Sequence, residues 1–444
     1  MVSTETQQQT PTAPITQPAP VSRSGGKPHV VIIGGGFAGL NAAKGLRDAP
    51  VKVTLIDRRN HHLFAPLLYQ VATAQLSPAN IAQPIRGITR GQRNLSVVLG
   101  EVETIDTEAR TVSVEDGSVY SYDYLIVAAG ATHSYFGHDE WAPMAPGLKT
   151  LEDALDIRRR ILLAFELAEK ESDPVKRQAL LTFIVIGAGP TGVEMAGAIA
   201  EIAHHTVTKD FENIDSRQAK ILLLEGLPRV LPPFDEKLSV KADASLKQLG
   251  VTVRTNALVT AIDEDGVNIG DERIESKTVI WAAGVQVSPI TKQLAGLATL
   301  DRAGRVPVER ELHIAGHPEI FVLGDAMSAK RADGRPLPGV APVAMQAGKW
   351  TAENIKRRVA GNAYLPFEYN DRGSMATIGR NHAVADIRGR QFNGFPAWAA
   401  WAGVHVFNLI GFRNRILVAA QWLFSYFTYN RGARLITGER TNKQ

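Results

Sequence analysis

Three glycines near the N-terminus have the spacing of a phosphate-binding loop. Gly34, Gly36 and Gly39 form the pattern Gly-x-Gly-x-x-Gly directly after an apolar run at residues 29–33. In such a loop the first glycine allows a tight turn, the second lets the backbone approach a pyrophosphate, and the third lets a helix pack closely on a strand. Asp57 follows Gly39 by 18 residues, where its carboxylate can accept hydrogen bonds from a ribose. These residues predict a dinucleotide site.

The same pattern recurs about 150 residues later, at Gly187, Gly189 and Gly192. Glu225 ends the next apolar run, and a carboxylate there would bind the 2′-hydroxyl of a ribose and repel a 2′-phosphate. It follows Gly192 by 33 residues, which exceeds the usual spacing of about 20, and we attribute the excess to an insertion at residues 205–218. The second loop therefore predicts an NADH site, with a solvated strand-end carboxylate as the alternative role of Glu225.

The runs of apolar residues around both loops are typical of strands buried on both faces of a parallel sheet. In each half, a strand, a glycine loop, a helix and a second strand follow one another, as in a βαβ unit. The predicted strands are residues 29–33, 51–56, 124–130, 181–186, 220–224, 278–284 and 320–323. Two such units in one chain predict an α/β fold with two Rossmann-like dinucleotide-binding domains.

The composition excludes thiol chemistry. The chain has 444 residues, of which 44% are hydrophobic and none is cysteine. The absence of cysteine excludes disulfides, thiolate metal sites and every reaction that needs a redox-active thiol. We expect no metal site.

Two segments differ from the α/β body. The first 27 residues are rich in Thr, Gln, Pro and Ser and lack the basic start and apolar stretch of a signal peptide, so we expect a disordered tail. From residue 356 to the end, the chain carries 13 Lys and Arg against four Asp and Glu. This basic excess indicates contact with an anionic membrane or a nucleic acid.

Long stretches without charged residues characterise the C-terminus. Residues 391–412 and 416–430 contain no Asp, Glu, Lys or Arg. As a helix, the second stretch would reach about 22 Å, which is short of the roughly 30 Å hydrocarbon core of a bilayer. The tryptophans of both stretches, the tyrosines of the second and the flanking arginines suit the membrane interface. We expect two amphipathic helices in the membrane plane at about residues 395–432, with a dimer interface or core helices as alternatives.

Several blocks of sequence resemble a known family. The blocks are HHLFAPLLYQVA at residues 61–72, GAGPTGVE at 187–194, APVAMQ at 341–346 and SMATIGR at 374–380. They resemble the type II NADH dehydrogenases, the single-subunit NADH:quinone oxidoreductases of the glutathione-reductase-like superfamily. The resemblance extends from about residue 27 to residue 434.

The resemblance implies an order of domains. The FAD-binding domain would comprise residues 28–150 and 286–355, with an NADH-binding domain at residues 151–285 inserted into it. Residues 356–444 would form a C-terminal region with membrane-docking helices. Non-covalent FAD is therefore the implied cofactor, with NADH and a quinone as substrates.

The resemblance also implies which residues meet the two dinucleotides. Those expected at FAD are Gly34, Gly36, Phe37, Ala38, Gly39, Asp57, Arg58, Val102, Ala129, Gly130, Gly324, Asp325, Ala344 and Met345. Those expected at NADH are Gly187, Gly189, Pro190, Thr191, Gly192, Glu194, Glu225 and Gly284.

The quinone motif of the family reads Ala-Gln-x-Ala-x-Gln. This chain has Ala344 and Gln346 in their places but Pro342 instead of the first glutamine, which removes one hydrogen-bond donor. The resemblance implies that Gln346 lies at the quinone and is catalytic, and we expect Tyr69 and Gln70 there too. The alternative for Gln346 is an ordinary polar residue near a helix N-terminus.

Glu194 follows the second glycine loop by two residues, on the expected first turn of its helix. The resemblance implies a catalytic position beside the flavin and the nicotinamide, where a carboxyl could orient the nicotinamide or relay a proton. The alternative is simple pairing of its charge with the helix N-terminus.

The implied activity is that of a membrane-associated NADH:quinone oxidoreductase of the respiratory chain that pumps no protons. Hydride would pass from NADH to FAD, and two electrons would pass to a membrane quinone, either menaquinone or ubiquinone. Because the chain has no cysteine, electrons would leave the flavin without a thiol relay. We expect a peripheral, monotopic protein on the cytoplasmic face of the cell membrane, held by anionic lipid, with a homodimer as an option and no nucleic-acid partner.

Two other classes of protein could have the same nucleotide-binding loops. A soluble NADH-dependent ferredoxin- or rubredoxin-type reductase would have both domains but no use for the aromatic, basic C-terminus. A non-enzymatic redox-sensing or nucleic-acid-binding flavoprotein could use the basic C-terminus. Its arginines, however, alternate with Trp- and Leu-rich stretches that suit lipid better.

Overall fold

The computed structural model describes residues 26–438, so the expected N-terminal tail lies outside the described residues except for its last two positions. The helices follow the glycine loops and the later strands, as the alternating pattern predicts. In chain order the α-helices of the described part are α1 (Phe37–Gly45), α2 (Leu68–Ala72), α3 (Pro78–Ile81), α4 (Ile85–Ile88), α5 (Leu151–Lys170), α6 (Pro174–Leu180), α7 (Pro190–Glu201), α8 (Glu236–Gln248), α9 (Ala341–Val359), α10 (Phe395–Asn408) and α11 (Phe412–Thr428).

The first glycine loop belongs to a six-stranded sheet. Its strands, in spatial order, are His313–Ile314, His317–Val322, Tyr124–Val127, His29–Ile33, Lys52–Asp57 and Leu95–Leu99. All neighbours are parallel except the first pair. Ile32 pairs with Leu55 on one side and Ile126 on the other, and all three side chains are fully buried. Both faces of these strands are covered, which explains their continuous apolar sequence.

The second glycine loop belongs to a parallel four-stranded sheet. In spatial order its strands are Val251–Arg254, Lys220–Leu224, Thr182–Ile186 and Thr278–Trp281. Helix α7 starts at Pro190, because proline fits the first position of a helix. It ends at Glu201 and continues as a π-helical turn, Ile202–Thr206. The two large sheets confirm the predicted pair of Rossmann-like units.

Smaller sheets connect and extend these units. Ala131–His133 pairs antiparallel with Val285–Val287, where the chain passes between the two halves. The remaining strands pair as Val102–Asp106 with Thr111–Val114 and Val119–Ser121, Ala261–Asp263 with Gly266–Ile269 and Glu272–Glu275, Ser374–Gly379 with His382–Ile387 and Arg390–Asn393, His61–Leu63 with Ala82–Pro84, and Val306–Pro307 with Met327–Ser328.

The C-terminal region contains two helices, as predicted, but their bounds differ. The uncharged run at residues 391–412 is not one element, because its first residues end a strand and α10 begins only at Phe395. Helix α11 begins before the second run and includes two arginines in its first turn. The short strands of this region begin at Ser374. None of the helices in residues 26–438 has both the length and the apolar character needed to cross a bilayer.

Helices α10 and α11 have one inner and one outer face. On the inner face, Trp401 stacks on Trp422 with ring centroids 5.2 Å apart, and both side chains are buried. On the outer face, apolar side chains remain exposed. They include Val404, Phe407, Phe412, Ile416, Leu423, Phe424 and Phe427.

Candidate active site

The first glycine loop has the geometry of a phosphate cradle. Gly34 has a φ of +98°, a conformation that side chains rarely allow, and a Cβ there would lie 2.4 Å from the carbonyl oxygen of Ala128. A Cβ at Gly39 would lie 1.9 Å from the carbonyl oxygen of Gly34. Helix α1 starts at Phe37, so its free N–H groups and partial positive charge face the loop. A phosphate can therefore approach bare backbone here.

Asp57 and Glu225 occupy matching positions in the two halves. Asp57 Oδ2 accepts a hydrogen bond from Gly35 N at 2.5 Å, and its Oδ1 accepts one from the amide two residues later at 2.7 Å. Glu225 Oε2 accepts from Ala188 N at 2.6 Å, and its Oε1 accepts from the amide two residues later at 2.9 Å. Each carboxylate braces the glycine loop of its own half and keeps acceptor capacity for a ribose.

A cavity of about 840 Å³ opens beside the first loop. This volume lies within the range of about 300–1,000 Å³ that is usual for ligand sites. Twelve of the 14 residues predicted for FAD line it, namely Gly34, Gly36, Phe37, Ala38, Asp57, Arg58, Val102, Ala129, Gly130, Gly324, Asp325 and Ala344. Gly39 lies behind the loop against Gly34, and Met345 is not among the lining residues. The cavity and its bare-backbone loop fit a bound FAD.

The second loop reaches the same cavity. Thr191, the second residue of α7, lines it together with the residues of the first loop. Gly284, which was predicted to bind NADH, lies between the strands Thr278–Trp281 and Val285–Val287, has a φ of +74° and lies against the Phe136 ring. A ligand on the N-terminus of α7 would thus extend towards the larger cavity.

The sequence analysis missed a cluster on the far wall of this cavity. His133, Lys149, Thr150 and Asp153 all line it. Asp153 Oδ2 accepts hydrogen bonds from the Lys149 and Thr150 amides at 2.9 Å and lies 3.2 Å from His133 Nε2. Although burial opposes it, these hydrogen bonds lower the pKa of Asp153. Thr150 and Asp153 form a capping box at the start of α5, a pattern that is visible in the sequence.

A second, narrower cleft lies between α2, α7 and the C-terminal helices. Its volume is about 70 Å³, and Tyr69, Gln70 and Glu194 line it. The opposite wall is aromatic and cationic, made of Arg380, Trp398, Trp401, Trp422, Tyr426, Tyr429 and Arg431. The structure thus brings together three of the residues that the sequence analysis placed in catalysis and quinone binding.

Comparisons with known proteins match nearly the whole chain. The pyridine nucleotide-disulphide oxidoreductase family matches residues 28–348, and the NDH2 C-terminal domain matches residues 372–429. The type II NADH:quinone oxidoreductase Ndh of Mycobacterium tuberculosis is 47% identical over 437 residues, covering 96% of this chain and 93% of that one. The chain belongs to the type II NADH:quinone oxidoreductase family. The predicted resemblance is therefore confirmed.

A more distant relative also matches most of the chain, and a solved structure shares its fold. The type II NADH:quinone oxidoreductase of Staphylococcus haemolyticus is 31% identical and covers 83% of this chain and 92% of that one. The structure of NDH2 from Plasmodium falciparum in complex with NADH has the same fold, with a TM-score of 0.83, 20% identity, and coverage of 93% of this chain and 100% of that one. The C-terminal match favours a type II enzyme over a soluble ferredoxin- or rubredoxin-type reductase.

The position of Glu194 differs from the expected one. It is the fifth residue of α7, and the first turn of that helix contains no acidic residue, so simple pairing with the helix N-terminus does not explain it. Its carboxyl lines the narrow cleft with Tyr69, whereas Thr191, one turn earlier, lines the larger cavity. Burial raises the pKa of Glu194 well above its usual range, and a hydrogen bond from the Thr377 backbone opposes this only in part.

Gln346 and Pro342 do not join the cleft. Both lie on α9, but neither is among the residues that line the cleft or the larger cavity. The Gln346 amide donates to the carbonyl oxygen of Asn370 and accepts from Asn370 N, both at 3.0 Å. The Gln346 side chain therefore holds the backbone at Asn370, and its contact with the quinone stays a prediction. The structure does not bring Gln346 together with Tyr69 and Gln70.

A buried ion pair beside the cleft was also missed. Arg431 NH2 donates to Glu201 Oε2 at 2.8 Å, and its NH1 donates to the Thr73 carbonyl oxygen at 2.8 Å. Glu201 Oε1 also accepts from Arg380 N at 2.6 Å. The Arg431 side chain is 5% exposed, and burial lowers its pKa. Glu201 and Arg431 are 230 residues apart, so no local pattern in the sequence pairs them.

Proposed function

We propose that this chain is a membrane-associated NADH:quinone oxidoreductase that takes hydride from NADH and passes two electrons to a quinone. One observation carries the proposal. The cavity beside the first glycine loop is reached by the second loop at Thr191, and helix α7 continues from there to Glu194 in the narrow cleft. A nicotinamide site, a flavin site and an acceptor site therefore adjoin one another along one helix.

FAD belongs in the larger cavity. The α1 N-terminus and the bare loop at Gly34 would hold its pyrophosphate, and Asp57 would accept from its ribose. Asp325, which also lines the cavity, would accept from its ribityl chain. Bound FAD supplies hydride acceptance and electron release, while the protein supplies position and charge. In this division, residues 28–150 and 286–355 bind FAD and residues 151–285 bind NADH.

NADH belongs on the second loop. Glu225 would bind both hydroxyls of the adenosine ribose, and its charge would repel a 2′-phosphate, which makes NADPH the poorer substrate. The N–H groups at the start of α7 would meet the pyrophosphate.

The quinone belongs in the narrow cleft. Because burial raises the pKa of Glu194, its carboxyl holds a proton that it can donate to a reduced quinone oxygen. Tyr69 and Gln70 offer further hydrogen bonds, and aromatic side chains of α10 and α11 enclose a flat ring. Pro342 is not among the residues that line the cleft, so we assign contact with the quinone to these side chains.

The outer face of α10 and α11 is the membrane-docking surface. Phe407 is 73% exposed and Phe427 is 74% exposed, and arginines in the first turn of α11 suit anionic headgroups. We propose that the protein docks peripherally in this way, on the cytoplasmic face, so that the cleft beside α10 and α11 lies next to the bilayer that holds the quinone. A second copy of the chain, in a homodimer, would cover part of the same face.

Steady-state assays test the activity. Purified protein should oxidise NADH when menadione is added, should oxidise NADPH far more slowly, and should give no reduction of an added ferredoxin. Reduction of the ferredoxin without reduction of menadione would establish the soluble reductase instead.

Vesicle binding tests the membrane surface. Phe407→Ser and Phe427→Ser should each lower affinity for vesicles that contain phosphatidylserine by about tenfold or more, because each removes a phenyl ring from the apolar contact. NADH:ferricyanide activity, which needs only the flavin, should not change. Unchanged vesicle affinity in both variants would refute this surface.

A further inference from the structure

Three buried side chains next to the cleft form a chain of hydrogen bonds. Trp422 Nε1 donates to Gln70 Oε1 at 2.8 Å, and Gln70 Nε2 donates to the Tyr69 hydroxyl oxygen at 2.9 Å. The exposed fractions are 8% for Trp422, 3% for Gln70 and 5% for Tyr69. Trp422 lies on α11, one of the two proposed membrane-docking helices, whereas Gln70 and Tyr69 lie on α2. In sequence, Trp422 and Gln70 are 352 residues apart.

Only one assignment of donors and acceptors is possible for these two hydrogen bonds. An indole N–H can donate but cannot accept, so the Gln70 atom that faces Trp422 must be its oxygen. The amide nitrogen then faces Tyr69 and donates to its hydroxyl oxygen. The hydroxyl hydrogen of Tyr69 must therefore point elsewhere. In the described part of the chain no acceptor takes this hydrogen, and Tyr69 lines the narrow cleft.

We propose that Trp422 is a positioning residue that, through Gln70, makes Tyr69 a hydrogen-bond donor into the cleft. The acceptor is a carbonyl oxygen of the oxidised quinone, so this inference rests on the proposed quinone site. Trp422 itself does not need to touch the quinone. The C-terminal helix thus sets the hydrogen-bond polarity of the acceptor site.

Trp422 acts through Gln70 in this account, and a double-mutant cycle detects that dependence. Trp422→Phe keeps a ring that can stack on Trp401 but removes the donor. Gln70→Leu removes the amide that connects the other two side chains. Trp350→Phe is the matched control, because it removes an indole hydrogen bond, to the Leu365 carbonyl oxygen, on a different helix.

Menadione binding to the oxidised, FAD-loaded protein is measured by calorimetry, alongside NADH:menadione and NADH:ferricyanide kinetics. Trp422→Phe should raise the Kd and the KM for menadione about five- to thirtyfold, the range expected when a buried polar group loses its partner. The ferricyanide rate and the Trp350→Phe control should stay at the wild-type level. In the Gln70→Leu background, Trp422→Phe should add less than twofold.

Two results would overturn the inference. One is a Trp422→Phe effect that persists in full in the Gln70→Leu background, since Trp422 would then act by packing alone. The other is wild-type menadione affinity in Gln70→Leu, a variant that leaves Trp422 and its stacking in place. A wild-type protein that reduces ferricyanide with NADH but neither binds nor reduces menadione would refute the proposed function itself.

Discussion

The buried pair of Glu201 and Arg431 offers a quantitative test of what holds the C-terminus on the cleft. Arg431→Met leaves the Glu201 carboxylate, whose side chain is 16% exposed, without its partner, and leaves the Thr73 carbonyl without its donor. Breaking a buried pair from one side costs about 3–5 kcal/mol. With an unfolding entropy of about 2.1 cal/mol/K per residue over roughly 410 residues, the thermal midpoint should fall by about 3.5–6 °C.

The chain provides a matched control for this variant three residues later. Arg434 pairs with Asp210, but these side chains are 31% and 41% exposed. Solvent screens such a pair, so Arg434→Met should cost no more than about 1 kcal/mol, or roughly 1 °C. Replacing both members of the buried pair, with Glu201→Gln and Arg431→Met together, should recover most of the loss, because no charge is then left buried.

The assay is the rise in flavin fluorescence as the holoprotein releases FAD on heating. Equal shifts in Arg431→Met and Arg434→Met would refute the reasoning, since burial would then not decide the cost. A double variant that is less stable than Arg431→Met alone would refute it as well.

Three further predictions concern the nucleotide loop and the acidic group of the cleft. Glu225→Ser should raise kcat/KM for NADPH relative to NADH by at least about tenfold, because a like charge no longer faces the 2′-phosphate; an unchanged ratio would exclude this role. Gly192→Ala should keep its flavin but lose reduction by NADH, since its Cβ would lie 1.8 Å from a loop carbonyl oxygen; absorbance spectra with and without NADH decide this. Glu194→Gln should have a higher thermal midpoint than the wild type, and the difference should grow as the pH rises above 4.5, the usual pKa of a glutamate. The reason is that the raised pKa of Glu194 makes the wild type lose stability as the pH rises through that range. A difference in midpoint that does not change with pH would argue against a buried carboxyl.

Local features of the fold could be predicted from the sequence. The strand, loop and helix around Gly34 and Gly187 lie within about 30 residues each, and their glycines have specific steric reasons to be there. The position of Glu225 directly after a strand could also be predicted, despite its long spacing from Gly192, because an apolar run precedes it. The bounds of α10 and α11 were less accurate, since a run of uncharged residues does not show where a strand ends and a helix begins.

The parts of the site that join distant segments could not be predicted. Gln346 matches a motif, but its hydrogen-bond partner Asn370 lies in a segment without strong periodicity, so the sequence does not predict this contact. The contact between Trp422 and Gln70, like the ion pair between Glu201 and Arg431, depends on how the C-terminal region folds back onto the two nucleotide-binding units. Single-sequence patterns carry no information about such contacts.

The proposed function requires a flavin that lies between a nicotinamide site and a separate acceptor site, with no thiol relay. An anaerobic titration of the holoprotein, followed at the flavin absorption band, tests it most directly. One equivalent of NADH should bleach the flavin completely, and one equivalent of menadione should then restore its absorbance in full. A flavin that NADH does not bleach, or that stays bleached after menadione is added, would contradict the account.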